Sequence, residues 1–426
     1  MRLSKTARRL YDEISELTII DAHEHLPTEA EYLAAGYSGL NMFSHYFRLD
    51  LLSAGLDREF FDRMRTDVTT PVSVWWPKIK PFYEASKHTS YARALRITAR
   101  DVFGIDDLND RTIAEFAAKV TADNAPGVYR RTLQERCKAR FSITCVDRAD
   151  FPDDPGLRGI TTLVKCFGTG NGYVRPYAER AGRAVKSLED LAEIAQSMLR
   201  AELAKGAVGF KTSAASFGAP DAAKAAEEFR RELDAGHKIG ELPALRDWLF
   251  DKCLDVARDA DVPVAVHTGY WGDFRTLDPK FLLGFAARRS DVRFDLFHLG
   301  VPFWREAALI GKTLPNVTLN LCWCPIVSQV TTGRMLDELI DLVPANKVIA
   351  FGGDYRVCVQ KAWGHLVMAR ECVASALARR VDAGDFDRDE ALRLAKLWFC
   401  DNPARIYKLE AQPARPQVRR AREGGA

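Results

Sequence analysis

The sequence lacks several things that would settle its class at once. No uncharged apolar run approaches the roughly 18–20 residues that span a bilayer, so no membrane segment is expected. The first residues, MRLSKTARRLYDEISEL, carry charge throughout and lack the apolar stretch of a signal peptide, which makes the cytoplasm the expected compartment. Cysteine is sparse and odd in number, nine in all, with no CxxC pair, which argues against a disulfide framework. The tightest pair, Cys322 and Cys324 in LNLCWCP, has no second pair to complete a metal site and reads as buried strand residues. An excess of charge is missing too. Lys and Arg number 61 against 58 acidic residues, and the last sixteen residues alone carry that net of +3. The body is therefore neutral and offers no extended basic surface to nucleic acid. Residues 411–426 read as a disordered Pro/Arg/Gly tail.

What remains is an ordinary globular composition, 47% hydrophobic and 28% charged, over 426 residues. That excludes whole-chain disorder, collagen and coiled coil. The length suits two or three domains or one barrel with an insertion. Short apolar runs alternate with amphipathic segments. The runs are Ile19–Ile20, Phe141–Val146, Thr161–Phe167, Ala207–Lys211, Val262–His267, Arg293–His298, Val317–Cys322 and Val348–Gly353. Their continuous apolarity suits parallel strands covered on both faces. Between them lie helical patterns such as Leu188–Lys205, Ala244–Ala260, Pro279–Arg289 and Arg334–Leu342. In the second half the runs recur about every thirty residues, one βα unit each, and eight such units make a (β/α)8 TIM barrel. A doubly wound open sheet satisfies the same periodicity. One spacing breaks the rhythm: about 115 residues separate the first run from the second, read as a large helical insertion (40–140) in the first βα loop, above the face where barrel sites form. The expectation is a single domain over residues 1–410.

Histidine placement is the sharpest feature. Of eight histidines, four end predicted strands: His23 and His25 in IIDAHEH, His267 in VPVAVHTG and His298 in VRFDLFHLG. Asp354 ends VIAFGGD in the same way. Residues i and i+2 of a strand share a side, so His23 and His25 both face the barrel axis while Glu24 points away. Two imidazoles, a third from another strand and a carboxylate suit Zn or a similar divalent ion. His45, His88, His237 and His365 lack such placement.

This constellation resembles the amidohydrolase superfamily, metal-dependent (β/α)8 hydrolases with an HxH pair on strand 1, His on strands 5 and 6, and Asp on strand 8. His23–Glu24–His25, His267, His298 and Asp354 match in identity and order, and DNPARIYKL (Asp401–Leu409) resembles the family's C-terminal helix. The likeness is greatest to the amidohydrolase-2 branch, with weaker likeness to uronate isomerases in the long insertion, in Ser90–Asp110 and in Asp354–Tyr355–Arg356. It implies one metal held by His23, His25, His267 and Asp354, with His298 free for acid–base or carbonyl-polarising work. Lys211, ending AVGFKT, matches a lysine that in some members is carbamylated and bridges two metals; otherwise it is a point charge for a substrate carboxylate.

Three further residues are candidates for substrate contact. Arg356 either locks the strand-8 loop or grips a carboxylate bidentately. Lys165 ends the third run, and Trp75, with Trp76 and Tyr83, forms either a lid or the core of the insertion. The expected activity is metal-dependent hydrolysis of an amide, lactone or similar bond in a small, anionic substrate, with Asp354 moving the water's proton and His298 stabilising the oxyanion. The rivals are a uronate-type isomerase, a non-oxidative decarboxylase or hydratase, and a non-catalytic binding domain. Barrels of this kind often form homo-oligomers, but no interface is legible.

Overall fold

The computed structural model describes residues 2–67, 69–146, 148–163, 182–235 and 241–409. Lys165 and the tail 411–426 lie outside them. Eight parallel strands follow one another in chain order: β1 (Ile19–Glu24), β2 (Ala139–Thr144), β3 (Leu157–Thr162), β4 (Gly209–Thr212), β5 (Val264–His267), β6 (Phe294–Phe297), β7 (Val317–Asn320) and β8 (Val348–Ile349). Each pairs with the next. Three backbone bonds join β1 to the segment after β8: Ala22 N to Phe351 O (3.1 Å), Asp354 N to His23 O (2.7 Å) and His25 N to Tyr355 O (2.9 Å). The sheet thus closes into a TIM barrel rather than an open doubly wound sheet.

The helices expected between strands are present at Leu188–Ala204, Pro243–Ala260, Lys280–Arg288 and Gln329–Leu342. The third strand starts at Leu157, before the expected Thr161, because Leu157–Gly159 pairs with Ser142–Thr144. Two apolar clusters form. One fills the lumen, where Ile20, Ile143, Ala265 and Ile349 meet Ile406 and Tyr407 of the C-terminal segment, the latter donating to Asp295 Oδ2 at 2.7 Å. This plug seals the N-terminal end of the barrel, so any site belongs at the other end. The second cluster runs from the shell helices into the insertion without a break.

The insertion begins earlier than its sequence pattern suggests. Thr28 caps helix Glu29–Ala34 with a reciprocal capping box, and helices continue to Arg136. Its helix Ser90–Phe103 lies against Lys361–Ala383, where a side chain on Gly364 would collide with Ala94 O. The insertion is thereby fixed to the shell on the strand-8 side.

Candidate metal centre

At the C-terminal rim the first strand departs from simple alternation. Ile20 and Ala22 belong to the lumen cluster, and the β1–β2 register shifts between Asp21 and Glu24. That shift lets His23 follow Ala22 on the inner side. His23 Nε2 and His25 Nε2 approach the same oxygen, Asp354 Oδ1, at 3.1 and 3.3 Å. Atoms of these three residues lie within 4.8 Å of one another.

The hydrogen-bond partners assign the protons. His25 Nδ1 is 2.7 Å from Cys145 O, a carbonyl that only accepts, so Nδ1 carries the proton and Nε2 a lone pair. Lys211 Nζ, an ammonium, stands 3.0 Å from His23 Nε2 and donates to it, leaving that nitrogen no proton for Asp354. Two imidazole nitrogens and a carboxylate oxygen therefore converge, the His25 lone pair free and the His23 lone pair shared with Lys211. A divalent cation resolves that arrangement, and the N,N,O donor set fits zinc-like chemistry.

The other strand ends form a second arrangement. His298 Nδ1 donates to Cys322 O at 3.1 Å, so its Nε2 accepts from His267 Nδ1 at 3.0 Å. His267 is left with a buried Nε2 lone pair that meets no partner among the described residues. It stands outside the compact His23–His25–Asp354 group among the described residues, yet offers the free donor a fourth ligand needs. His298 Nε2 lies 3.9 Å from Asp354 Oδ2.

Burial sets the protonation. It is the main cause holding His23 and His267 well below the usual imidazole range, with the charge of Lys211 adding to it, and it brings His298 down to about 4. The site is thus a carboxylate among neutral imidazoles, the state a metal requires.

The backbone is forced to deliver these groups. His298, Trp323 and Asp354 adopt left-handed φ of 64°, 67° and 60°, as does His45 at 63°. Such strain costs about 1–3 kcal/mol per residue and gathers at functional sites. Two buried acids hold the strand-8 turn: Gly353 N donates to Asp21 Oδ1 (3.0 Å) and Tyr355 N to Glu24 Oε2 (2.5 Å), one on each side of Asp354. A Cβ at residue 353 would sit 2.0 Å from Glu24 Oε1, so only glycine passes there.

The family model described as amidohydrolase matches residues 165–409. The chain belongs to the amidohydrolase family. Protein fluG of Emericella nidulans is 28% identical over 178 residues, 40% of this chain and 20% of that protein, so the chain spans about a fifth of the relative it matches. Among solved structures, uronate isomerase of Thermotoga maritima superposes with a TM-score of 0.77 at 15% identity, covering 95% of this chain and 98% of that one. Glucuronate isomerase of Caulobacter crescentus gives 0.77 at 18%, covering 96% and 95%. At such identities the likeness shows a shared TIM barrel with uronate-isomerase resemblance.

The remaining candidates of this amidohydrolase fall in different places. Lys211 is buried beside His23, its ammonium 4.6 Å from the Phe297 ring centre. Arg356 is exposed, and no hydrogen bond or ion pair locks it to the strand-8 loop among the described residues. Trp75 packs edge-on against Phe60 (5.2 Å), as core of the insertion, with no bond or ring contact to the metal centre among the described residues. Lys165 lies outside the described residues.

Sequence pattern missed four groups. His45 lies against Tyr46 (ring centres 4.0 Å apart, tilted by 57°) and near Tyr355 (5.8 Å), and the charge of Asp354 adds to burial in raising the Tyr46 hydroxyl. Trp323 stands edge-on over His298 at 5.2 Å, and Cys322 Sγ lies 3.3 Å from His298 Nδ1. The one available hint was the insertion's position in the first βα loop.

Proposed function

We propose that this chain is a metal-dependent hydrolase cleaving an amide, lactone or similar carbonyl bond of a small, anionic substrate. The observation that carries the reading is the His267–His298 pair beside Asp354, which adds a proton-handling base to a centre already able to hold a cation. His23, His25, Asp354 and His267 would hold one divalent ion, zinc by donor type. The ion supplies Lewis acidity, acidifying water and polarising the carbonyl. Asp354, ionised at neutral pH, takes the proton of the attacking water and returns it to the leaving group. His298 presents a lone pair in its resting tautomer. It can take the water's proton over from Asp354, whose Oδ2 lies 3.9 Å away, and hold it as an imidazolium facing the oxyanion until Asp354 returns it to the leaving group. Exposed Arg356 and buried Lys211 are cations that would meet a substrate carboxylate.

A second reading, isomerisation of a uronate, is supported by the superposition of nearly the whole chain on two uronate isomerases. The test is metal analysis of purified protein, then a screen of amides, lactones and uronates. Metal-dependent release of an amine or a ring-opened acid is the expected result. Ketose formation from a uronate, with no hydrolysis, would make the isomerase the correct assignment.

A further inference from the structure

The insertion carries a group of cations that the metal centre does not use. Its helix Ser90–Phe103 packs Tyr91 against Tyr46 on the barrel side, ring centres 5.8 Å apart and nearly parallel at 17°. At about 100° per residue, Arg93, Arg96 and Arg100 fall on roughly the opposite side of that helix. There a cleft of about 350 Å³ opens between them and Lys87, His88 and Asp106. Four permanent cations thus line it against a single acid. None of these side chains bonds to the metal centre among the described residues.

Part of that charge is already matched. Lys87 donates to Glu84 at 2.5 Å and Arg100 to Asp101 at 2.6 Å. Arg93 stands 3.6 Å from Glu371 Oε2, an oxygen that accepts from Gln329 at 2.7 Å. Arg96 is different: it is exposed and makes no hydrogen bond or ion pair among the described residues. The Tyr83 hydroxyl, on a buried ring, also finds no partner, and the strongest charge acting on it is that of Arg96. Gathering like charges around one cleft costs repulsion that a bound anion removes. Guanidinium forks match phosphate oxygens two at a time. From Arg93 to Arg100 the helix rises about 10 Å, too far for one phosphate to engage both ends. Apart from the His88 imidazole no aromatic ring lines the cleft, so little here rewards a nucleobase.

We propose that this cleft binds a compact aliphatic molecule carrying two phosphate groups, at a site separate from the metal centre. The proposal does not depend on which reaction the metal centre performs. The test is calorimetric titration of the full chain with fructose 1,6-bisphosphate, fructose 6-phosphate and fructose at about 0.1 M salt. The bisphosphate should bind about tenfold more tightly than the monophosphate, and fructose should give no saturable heat. Arg96→Gln should weaken bisphosphate binding about tenfold, whereas Arg96→Lys, which keeps the charge without the fork, should weaken it about threefold. The Arg96 side chain is exposed, so an unchanged thermal midpoint should show that both variants fold. Lys312→Gln, at an exposed cation on helix Trp304–Thr313, should leave binding unchanged. Three outcomes would overturn the proposal. The bisphosphate might bind no better than the monophosphate. Arg96→Gln might bind it as wild type does, which would put the ligand elsewhere. Lys312→Gln might weaken it as much as Arg96→Gln, which would reduce the effect to net charge.

Discussion

The two halves of the metal centre are built on different principles. On the β1–β8 side, His23, His25 and Asp354 are pinned by backbone: the Asp354 amide bonds His23 O, and Asp21 and Glu24 hold the neighbouring amides. On the β5–β6 side, His267 and His298 hold each other through one imidazole hydrogen bond, backed by Cys322 and Trp323. The first half is rigid and rich in lone pairs; the second has a proton free to move along a line of nitrogens. The contrast separates holding a cation from handling protons, and substitutions on either side should fail differently.

Asp354 belongs to both halves, so its loss should be the most damaging. Asp354→Asn keeps the shape but removes the proton acceptor and weakens a metal contact; turnover should fall by about 10²–10⁴ and bound metal should drop, with the circular dichroism spectrum unchanged. Near-normal activity at full metal occupancy would refute the assignment. His298→Asn should cost about 10²–10³ in kcat while metal content, read by elemental analysis, stays at the wild-type value. If metal is lost in step with activity, the two halves are one.

Acid tests the support behind the turn. His365 is fully buried, with Nδ1 3.3 Å from Gly353 O, and burial pushes its imidazole from 6.5 down to about 3. The fold holds the neutral form, so this contribution is complete above about pH 6.5 and is lost as pH falls from there towards about 3. Between pH 6.5 and 5 wild type should lose about 2 kcal/mol more unfolding free energy than His365→Gln, at about 1.4 kcal/mol per pH unit. Denaturant titrations at the two pH values give the difference; parallel losses would show that His365 is not desolvated in solution.

The smallest effect concerns Lys211, which donates to the cation-holding half. As a point charge for substrate, Lys211→Ala should retain a single metal and raise KM about tenfold with kcat little changed. Two equivalents of metal in wild type falling to one in the variant would mean a carbamylated, bridging lysine instead.

The legible residues were those whose position along a strand fixes where they point. His267 and Asp354 could be read because each ends an apolar run, and a strand end in a closed barrel has one destination. His23 and His25 were legible for a reason that proved incomplete, since the register shift, not alternation alone, turns His23 inward. Tyr46 and His45 left no trace because loops and insertions take their direction from tertiary packing, which has no sequence period. Trp75 shows the converse: an aromatic pair in the right segment, turned towards Phe60 by the helix that carries it.

The seam between β1 and the segment after β8 has a consequence during synthesis. Asp354 and the amides that grip β1 emerge from the ribosome some 330 residues after His23 and His25. At roughly 5–20 residues per second, the nascent chain spends tens of seconds with an HxH pair and no carboxylate to complete it. Completion of the metal centre therefore waits for the segment after β8. A translational stall before Gly352 leaves β1 as an open strand edge, ready to pair with whatever other chain is near.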